Sequence, residues 1–240
     1  MNVMKKAALL FAAAVAVGLP SALDAQARSY ALESSQGLTL HNVSAVPAVL
    51  LEKKGVKVTL SDEAAQRLRA MPADQQAPME QLALIDGVDF DNGTIEAEIA
   101  GAPAPGAAAG ARGFVGIAFR VQKDLRTYDA FYLRPTNGRA DDQERRNHAV
   151  QYIAHPDWPW FRLRKETPSK YEAYADLVPG VWTKVKIEVR GDRARLYVND
   201  SEQPTLLVND LKSGATGKGA VALWLDQGTV AHFRNLSVRP

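Results

Sequence analysis

The segment YDAFYLRPTNGRADDQERRNHAVQYIAHPDWPWFRLR, from Tyr128 to Arg164, concentrates aromatic, guanidinium, amide and imidazole side chains. Aromatic rings cover the apolar C–H faces of a sugar ring, and guanidinium and amide groups form paired hydrogen bonds with neighbouring hydroxyls. An excess of arginine also suits a carboxylated or oxidised sugar, because a guanidinium group pairs with a carboxylate through two hydrogen bonds. These residue types predict a carbohydrate partner, and the arginines favour an acidic or oxidised one.

Both ends of this segment alternate as β-strands do, and alternation predicts which side chains share one face of a sheet. In FYLR, Phe131 and Leu133 turn towards the core, so Tyr132 and Arg134 turn away from it. Trp160–Arg164 is interpreted as another such strand. The predicted ligand-binding face holds Arg120, Tyr132, Arg134, Gln151, Trp160, Arg162 and Arg164. The alternative is a solvated, salt-bridged face, although lysine, which such faces usually favour, is almost missing.

The ionisable residues between the strands predict no metal site. The chain has four histidines, and none has the short spacing of zinc ligands. A histidine can also act alone in catalysis, and His148 is the candidate for that role. Asp141, Asp142 and Glu144 could rim the face, bind a hard cation or supply an acid–base pair. Their spacing is not that of a known calcium loop, which favours a solvated charged loop. No cofactor is predicted, with Ca²⁺ as the one alternative.

The N-terminus has the pattern of an export signal. Lys5 and Lys6 precede the apolar run Ala7–Leu19, and Ala25-Gln26-Ala27 places small residues at a cleavage site. Residues 1–27 are therefore predicted to be a secretory signal peptide, with an uncleaved anchor as the alternative. No later segment is apolar enough to cross a membrane. Because an exported chain without cysteine has no disulfides, a bacterial periplasmic or secreted location is favoured.

The charge balance excludes two classes of partner. The whole chain has a formal net charge of +2, and removal of Lys5, Lys6 and Asp24 with the signal peptide leaves the rest close to neutral. A nearly neutral chain offers no electrostatic case for binding nucleic acid or an anionic membrane surface.

The hydrophobic pattern predicts an all-β fold with one short helix. From Leu38 onward apolar residues alternate with polar ones in many short segments, separated by turn sequences such as Asn137-Gly138 and Gly191-Asp192. SDEAAQRLRAM, Ser61–Met71, is the helix, with Ser61 as its N-cap. Residues 28–240 are predicted to be a single two-sheet antiparallel jelly-roll sandwich domain, in which the Ala/Gly/Pro-rich residues 100–113 form a flexible loop.

Five segments carry a resemblance to a known superfamily: GTIEAEI, GFVGIAFR, AVQYI, GVWTKVKIEVRGDRARLYVN and FRNLSV. Their order resembles the concanavalin A-like lectin/glucanase jelly rolls, which include laminin-G-like domains and family 16 glycoside hydrolases. Within that superfamily the chain looks most like bacterial exported proteins of the 3-keto-disaccharide hydrolase-like group. The resemblance covers roughly residues 80–240, and it implies the fold more specifically than the function.

The resemblance implies an activity only loosely. A retaining family 16 hydrolase takes two carboxylates, about 5 Å apart, from one strand reading E-x-D-x-x-E, and this chain lacks that motif. Glu96 and Glu98, on one face of a predicted strand, are the nearest pair and are weak catalytic candidates. Three functions stay open: a carbohydrate-binding domain, a glycoside hydrolase or keto-sugar-processing enzyme, and an envelope protein-interaction domain.

Overall fold

The computed structural model describes residues 27–72 and 79–240, so the predicted signal peptide lies almost wholly outside the described residues. Fifteen strands in these ranges form two antiparallel sheets. In chain order they are β1 Arg28–Tyr30, β2 Leu38–His41, β3 Val43–Leu50, β4 Lys53–Leu60, β5 Leu82–Ile85, β6 Gly93–Pro103, β7 Val115–Val121, β8 Tyr128–Leu133, β9 Val150–His155, β10 Glu172–Ala173, β11 Thr183–Arg190, β12 Arg193–Val198, β13 Leu206–Val208, β14 Ala220–Leu225 and β15 Thr229–Arg239.

Sheet A has the order β13-β12-β11-β6-β15-β4-β3, with β1 also paired to β15. Sheet B has the order β10-β9-β8-β7-β14-β5-β2. Each sheet mixes strands from the first and last parts of the chain, as a jelly roll requires. The predicted fold class, an antiparallel two-sheet sandwich, is therefore confirmed.

Alternation along the strands builds the core. In β6 the side chains of Ile95, Ala97 and Ile99 are buried, whereas Glu96 and Glu98 between them face outward. The central strands of sheet B are buried on both faces: every residue of β7 and β8 is buried. One face of sheet B packs into the core, so other residues must cover the second face.

The predicted helix is present as α1, Asp62–Ala70. The side chain of Ser61 accepts a hydrogen bond from the backbone N–H of Ala64 at 3.2 Å, which is the N-cap that the sequence predicts. Within residues 27–72 and 79–240, two further short helices occur, α2 (Gln143–Asn147) and α3 (Trp160–Glu166).

Helix α3 corrects one prediction, because Trp160–Arg164 is helical and not a strand. Pro159 sits at its N-cap, and Leu163 is its one buried side chain. Residues four apart lie on one side of a helix, whereas residues two apart do not. Trp160 and Arg164 therefore share a side, and Arg162 is turned away from them.

Strand β6 extends into the segment that the sequence predicts to be a flexible loop. β6 continues to Pro103, so the first residues of the Ala/Gly/Pro-rich segment are strand and the loop begins at Ala104. In the part of the chain that the structure describes, no helix has the length and apolar character needed to span a membrane.

Candidate functional site

A row of side chains crosses five strands of sheet B on the face opposite the core. The strand register pairs Trp224 with Gly116, Gly116 with Tyr132, Tyr132 with Gln151, and Gln151 with Glu172. Directly paired residues point to the same face of a sheet. The row therefore carries an indole, a phenol, an amide and a carboxylate next to one another.

Gly116 allows two of these rings to meet. A Cβ atom at this position would lie 2.2 Å from the carbonyl oxygen of Phe131 and 2.6 Å from Cβ of Tyr132, so no larger residue fits. Across the gap, the rings of Tyr132 and Trp224 approach to 4.8 Å between centroids. On its other side Tyr132 packs against Phe114 at 5.2 Å.

Arg134, which follows β8 directly, folds its guanidinium group back over this row. One terminal nitrogen donates to the Tyr132 hydroxyl at 2.8 Å and to Oε1 of Gln151 at 3.0 Å. The other donates to Oε1 of Glu172 at 3.0 Å and to the His148 carbonyl at 3.1 Å. Arg134 is only 3% exposed, so these four contacts are what satisfies a buried cation.

Glu172 is the acceptor at the centre of three basic groups. Besides Arg134, it accepts hydrogen bonds from Nε (3.0 Å) and a terminal nitrogen of Arg164. Nδ1 of His148 lies 3.0 Å from Oε2 of Glu172. Burial alone would raise the pKa of Glu172, but the hydrogen bonds from Arg164 and Arg134 outweigh it and hold the pKa below its usual range.

His148 borders this ion-pair cluster and has a lowered pKa. Burial lowers the pKa first, and the nearby charges of Arg164 and Arg134 lower it further, against the attraction of Glu172. The lowered pKa favours the neutral form of the imidazole. A neutral imidazole beside a carboxylate can accept a proton from a bound molecule.

A cavity of about 270 Å³ opens beside this cluster. Its wall is formed by aromatic, amide and basic side chains together with one loop glycine: Gly110, Arg112, Phe114, Arg134, Asn137, Arg145, His148, Trp160 and Arg164. Four guanidinium groups thus face one small space, and no carboxylate lines it. The cavity has the electrostatic character of an anion site.

Two of the four guanidinium groups have no carboxylate partner among the described residues. Arg112 donates only to the backbone carbonyls of Ala109 and Ala111, at 3.1 and 3.3 Å. Burial lowers the pKa of Arg112, and the like charges of Arg145 and Arg134 lower it further. Nε of Arg145 is buried and has no hydrogen-bond partner. The positive charges of these two arginines repel each other.

The structure brings most of the predicted face together. Trp160 stacks against two guanidinium groups, with the Cζ atoms of Arg134 and Arg164 at 5.5 and 4.8 Å from its ring centre. The side chains that converge here are Tyr132, Arg134, Gln151, Trp160 and Arg164, together with the catalytic candidate His148. Tyr132 and Gln151 are fully buried and do not line the cavity, so these two residues are not part of an open sheet surface.

Arg120 is not part of this site, which corrects the prediction. It has a φ of 55° where β14 shifts register against β7, and this irregularity breaks the alternation on which the prediction depended. Its guanidinium group is 1% exposed and donates to Ser213 Oγ and to three backbone carbonyls, those of Asp91, Gly191 and Gly214, at 2.8–3.0 Å. Arg120 therefore links three loops through hydrogen bonds, those that contain Asp91, Gly191 and Gly214.

Arg162 also lies apart from the cavity. Its Nε donates to Glu166 at 2.8 Å, and a terminal nitrogen donates to the carbonyl of Asp157 at 2.7 Å. Its guanidinium group stacks 4.0 Å from the centre of the Trp158 ring. The helical conformation of α3 explains this, because Arg162 is two residues from both Trp160 and Arg164.

Glu96 and Glu98 are on the outer face of sheet A and form surface ion pairs. Glu96 pairs with Arg239 at 2.9 Å, and Glu98 pairs with Lys53 at 3.1 Å. Burial raises the pKa of Glu98, yet the hydrogen bonds from Lys53 and Asn235 bring it below the usual value. Neither carboxylate meets the basic cluster of sheet B.

The charged loop before His148 forms a helix and no cation cage. Oδ1 of Asp142 accepts a hydrogen bond from the backbone N–H of Arg145 at 3.0 Å and so caps α2. Across residues 27–72 and 79–240, no three histidine or carboxylate side chains are grouped so that they could hold a metal ion.

Five residues of the site were missed by the sequence analysis as ligand-binding candidates: Arg112, Phe114, Asn137, Arg145 and Glu172. Arg112 belongs to the predicted flexible loop 100–113, and Arg145 belongs to the charged loop before His148. Glu166 and Asp176 are close to Glu172 in the chain, so no local signal distinguishes Glu172 from other charged residues. Its pairing with Gln151 across β9 and β10 depends on a register that the sequence does not state.

The class of protein follows from this geometry: a concanavalin A-like jelly roll with a basic cavity on the non-core face of one sheet. Residues 53–239 match the model of the 3-keto-alpha-glucoside-1,2-lyase-like domain. This is most of the chain, so the chain belongs to that family. The resemblance seen in the sequence is thereby confirmed.

Several solved structures are similar to this chain. They include a carbohydrate binding module, CBM66, from Bacillus subtilis, with 15% identity, a TM-score of 0.48, and coverage of 83% of this chain and 97% of that one. The beta-glucanase of Bacillus licheniformis has 12% identity and a TM-score of 0.44, with coverage of 89% and 98%. A galectin-like protein of unknown function from Bacillus subtilis has 12% identity and a TM-score of 0.48, with coverage of 88% and 94%. Among curated proteins, no sequence matches this chain.

Proposed function

We propose that the protein binds a carbohydrate that carries a carboxylate, and that the four-arginine cavity is the binding site. One observation carries this proposal: four guanidinium groups line the cavity, and the two that have a carboxylate partner share it, since both pair with Glu172. A ligand carboxylate completes the charge balance by pairing with Arg112 and Arg145.

The remaining walls suit the rest of a sugar. Trp160 is 39% exposed, so part of its indole face is free to cover the C–H groups of a ring. At about 270 Å³ the cavity is small for a ligand site, which suits a single sugar unit. Glu172 holds Arg134 and Arg164 in place and is not free to contact the ligand.

Calorimetric titration of the purified protein with D-glucuronate and with D-glucose tests the proposal. We expect binding of glucuronate and much weaker binding of glucose, with an affinity that falls as salt screens the charges. Arg112→Gln and Arg145→Gln should each reduce glucuronate affinity about tenfold or more, because each removes one charge-assisted pair.

Arg162→Gln is the matched control, since Arg162 belongs to α3 but does not line the cavity. Its affinity for glucuronate should equal that of the wild type. Equal affinities of the wild type for glucose and glucuronate would exclude a preference for an anionic ligand. Equal glucuronate affinities for Arg112→Gln, Arg145→Gln and Arg162→Gln would exclude the cavity as the binding site.

A second function is favoured by His148. A 1,2-lyase acting on a 3-keto glycoside removes the proton from C2, next to the carbonyl, while the bond from C1 to the glycosidic oxygen breaks and a C1–C2 double bond forms. The departing oxygen takes up a proton, from the imidazolium or from water, and leaves as an alcohol. A histidine that acts as the base must be unprotonated, and burial lowers the pKa of His148, which lines the cavity. The negative charge that develops on the keto oxygen would face guanidinium groups.

Incubation with methyl 3-keto-α-D-glucopyranoside tests this second function. Elimination should release methanol and a product with an enone absorbance, and His148→Gln should abolish it while Arg162→Gln should not. Loss of activity with unchanged unfolding would assign the base. Equal activity of His148→Gln and wild type would remove His148 from the chemistry.

The cellular location belongs to the same proposal. Export is supported by the N-terminal pattern of residues 1–27, and the absence of cysteine favours a bacterial periplasm or cell surface over a eukaryotic extracellular space. Expression of the full chain in a bacterium, followed by fractionation and N-terminal sequencing, should give a periplasmic or secreted protein that begins at Arg28. A cytoplasmic protein that begins at Met1 would contradict it.

A further inference from the structure

The side chain of Asn137, in the cavity wall, carries a hydrogen-bond acceptor without a donor among the described residues. Asn137 ends the short 3-10 turn Pro135–Asn137 and is 5% exposed. Its Nδ2 atom donates to the carbonyl of His148 at 3.2 Å, whereas its Oδ1 atom has no hydrogen-bond partner. Because only the NH₂ end of an amide can face a carbonyl, this contact fixes which end of the side chain is the free oxygen.

A buried acceptor without a donor is costly, and such groups in native proteins call for an explanation. The carbonyl of His148 already accepts from both Asn137 and Arg134, so the turn holds the amide firmly in place. Asn137 is a residue of the cavity wall, so its free oxygen, although almost completely covered, is held in one orientation close to the space that a ligand would occupy.

The chemistry of the other wall groups limits what can meet this oxygen. The four arginines offer only N–H donors, and none of them donates to Asn137. A bound carboxylate would satisfy the arginines, but it has no hydrogen to give to Oδ1. A hydroxyl group on the same ligand as the anion would supply the donor that this oxygen lacks.

We propose that Asn137 is a specificity-determining residue that accepts a hydrogen bond from a hydroxyl group of the bound uronic acid. This inference rests on the proposed function and narrows it: the ligand carries a carboxylate and a hydroxyl on one ring. Anions without a hydroxyl, such as sulfate or a bare ring carboxylate, leave Oδ1 unpaired and bind less well.

The test is a cycle in which the protein and the ligand are both changed. The purified full chain is titrated with D-glucuronate, D-galacturonate and D-mannuronate, and then with each monodeoxy analogue of the tightest binder. The same titrations are made with Asn137→Ala and with Asn209→Ala, a matched control at an exposed position outside the cavity wall.

We expect one monodeoxy analogue to bind the wild type about fivefold to tenfold more weakly than its parent, as the loss of one buried hydrogen bond requires. The same analogue and its parent should bind Asn137→Ala equally, and Asn209→Ala should follow the wild type. A purely structural role would weaken both ligands by one factor and leave their ratio unchanged. Asn137→Asp, which keeps the acceptor, should weaken all uronates because it places a negative charge at the anion site.

The outcomes separate this inference from the function on which it rests. If uronates bind but every analogue keeps the same affinity ratio in wild type and Asn137→Ala, Asn137 is not the selecting residue. If Asn137→Ala does not fold, the wild type alone decides, because equal binding of the parent and all monodeoxy analogues also overturns the inference. If no uronate binds the wild type, both the proposed function and the inference on Asn137 are wrong.

Discussion

Arg134 and Glu172 form an ion pair at 3.0 Å in which both side chains are almost completely buried, at 4% and 2% exposure. The pair spans the width of three strands, because Arg134 follows β8, Glu172 begins β10, and β9 lies between them. A carboxylate in such a place is stable only while its cations remain, and the cations are held in position only while it is charged.

Glu172→Gln should destabilise the protein strongly. The amide keeps the size of the side chain but removes the single negative charge shared by Arg134 and Arg164, so two guanidinium groups stay close together without compensation. Breaking a buried pair in this way costs about 3–5 kcal/mol of unfolding free energy. Urea denaturation followed by tryptophan fluorescence measures the change.

Asp176→Asn provides the control for this substitution. Asp176 pairs with Arg139 at 2.6 Å, but both side chains are more than half exposed. An exposed pair contributes about 0–1 kcal/mol. Similar losses of unfolding free energy for Asp176→Asn and Glu172→Gln would show that the buried pair of Arg134 and Glu172 stabilises the protein no more than an exposed pair does.

The same carboxylate predicts how stability depends on acid. The pKa of Glu172 is lower in the folded protein than in the unfolded chain, so the folded state binds fewer protons. Its stabilising contribution is complete above the unfolded value of about 4.3 and is lost as the pH falls through the lower folded value. The difference in unfolding free energy between wild type and Glu172→Gln should therefore be constant near neutrality and shrink below about pH 4.

His148 titrates nearby and must be separated from this effect. Its pKa is lowered on folding, so it destabilises the folded state when the pH drops below the ordinary histidine value of about 6.5. The comparison is therefore repeated in a His148→Gln background. A difference that persists unchanged at pH 3 would contradict the assignment to Glu172.

The sequence predicts the layers of this fold well, because the signal is a period of two that many strands repeat. Ile95, Ile99 and Phe131 turn inward as their parity requires. The same rule succeeds for Tyr132 and Arg134, which belong to a regular strand and its direct continuation. Helix α1 is predicted equally well, since its cap and its boundaries are local features.

The rule fails where the backbone departs from a regular strand. A register shift near Arg120 and a helix at Trp160–Glu166 change the direction of side chains without changing the apolar pattern. The sequence WFRLR alternates between aromatic or apolar and basic residues as a strand would. In the structure it forms part of helix α3, which buries only Leu163, so the alternation does not report the conformation. The pairing of Gln151 with Glu172 depends on tertiary register, which a single sequence does not encode locally.

Arg120→Lys tests the structural role that replaces the predicted one. An ammonium group cannot reach all the acceptors that the guanidinium group satisfies, so several buried carbonyls lose their donor. We expect a loss of about 3 kcal/mol of unfolding free energy, with no change in uronate affinity for the folded protein. Arg126→Lys, at an exposed turn, is the control and should change neither. A loss of uronate affinity without a loss of stability in Arg120→Lys would show that Arg120 is part of the binding site.

Asp129 predicts a pH dependence of the opposite sign. It is fully buried and accepts a hydrogen bond from the Tyr152 hydroxyl, and burial raises its pKa. The folded state then binds more protons, so its stability falls as the pH rises from the unfolded value of about 3.9 through the folded one. Asp129→Asn cannot ionise, and its unfolding free energy relative to wild type should increase with pH over this range.

Asp124 gives the matched comparison for Asp129. Its pKa is lowered by hydrogen bonds from the backbone of Arg126 and from Thr127, in an exposed turn. Asp124→Asn should therefore lose stability relative to wild type as the pH rises towards the unfolded value of about 3.9, which is the reverse trend. Urea titrations at several pH values between about 2 and 7 measure both slopes. Slopes of the same sign would refute the contrast between the two sites.

Trp160→Ala and Arg162→Ala compare the two sides of one helix. Trp160 covers two guanidinium groups at the cavity, whereas Arg162 stacks on Trp158 outside it. Removal of the indole should lower uronate affinity about tenfold, since the sugar loses its apolar surface, and Trp160→Phe should recover part of it. Both alanine variants should lose about 1 kcal/mol or less of stability, because each residue is partly exposed. Calorimetric titration gives the affinities, and equal affinities for the two alanine variants would mean that the ligand does not contact this face of α3.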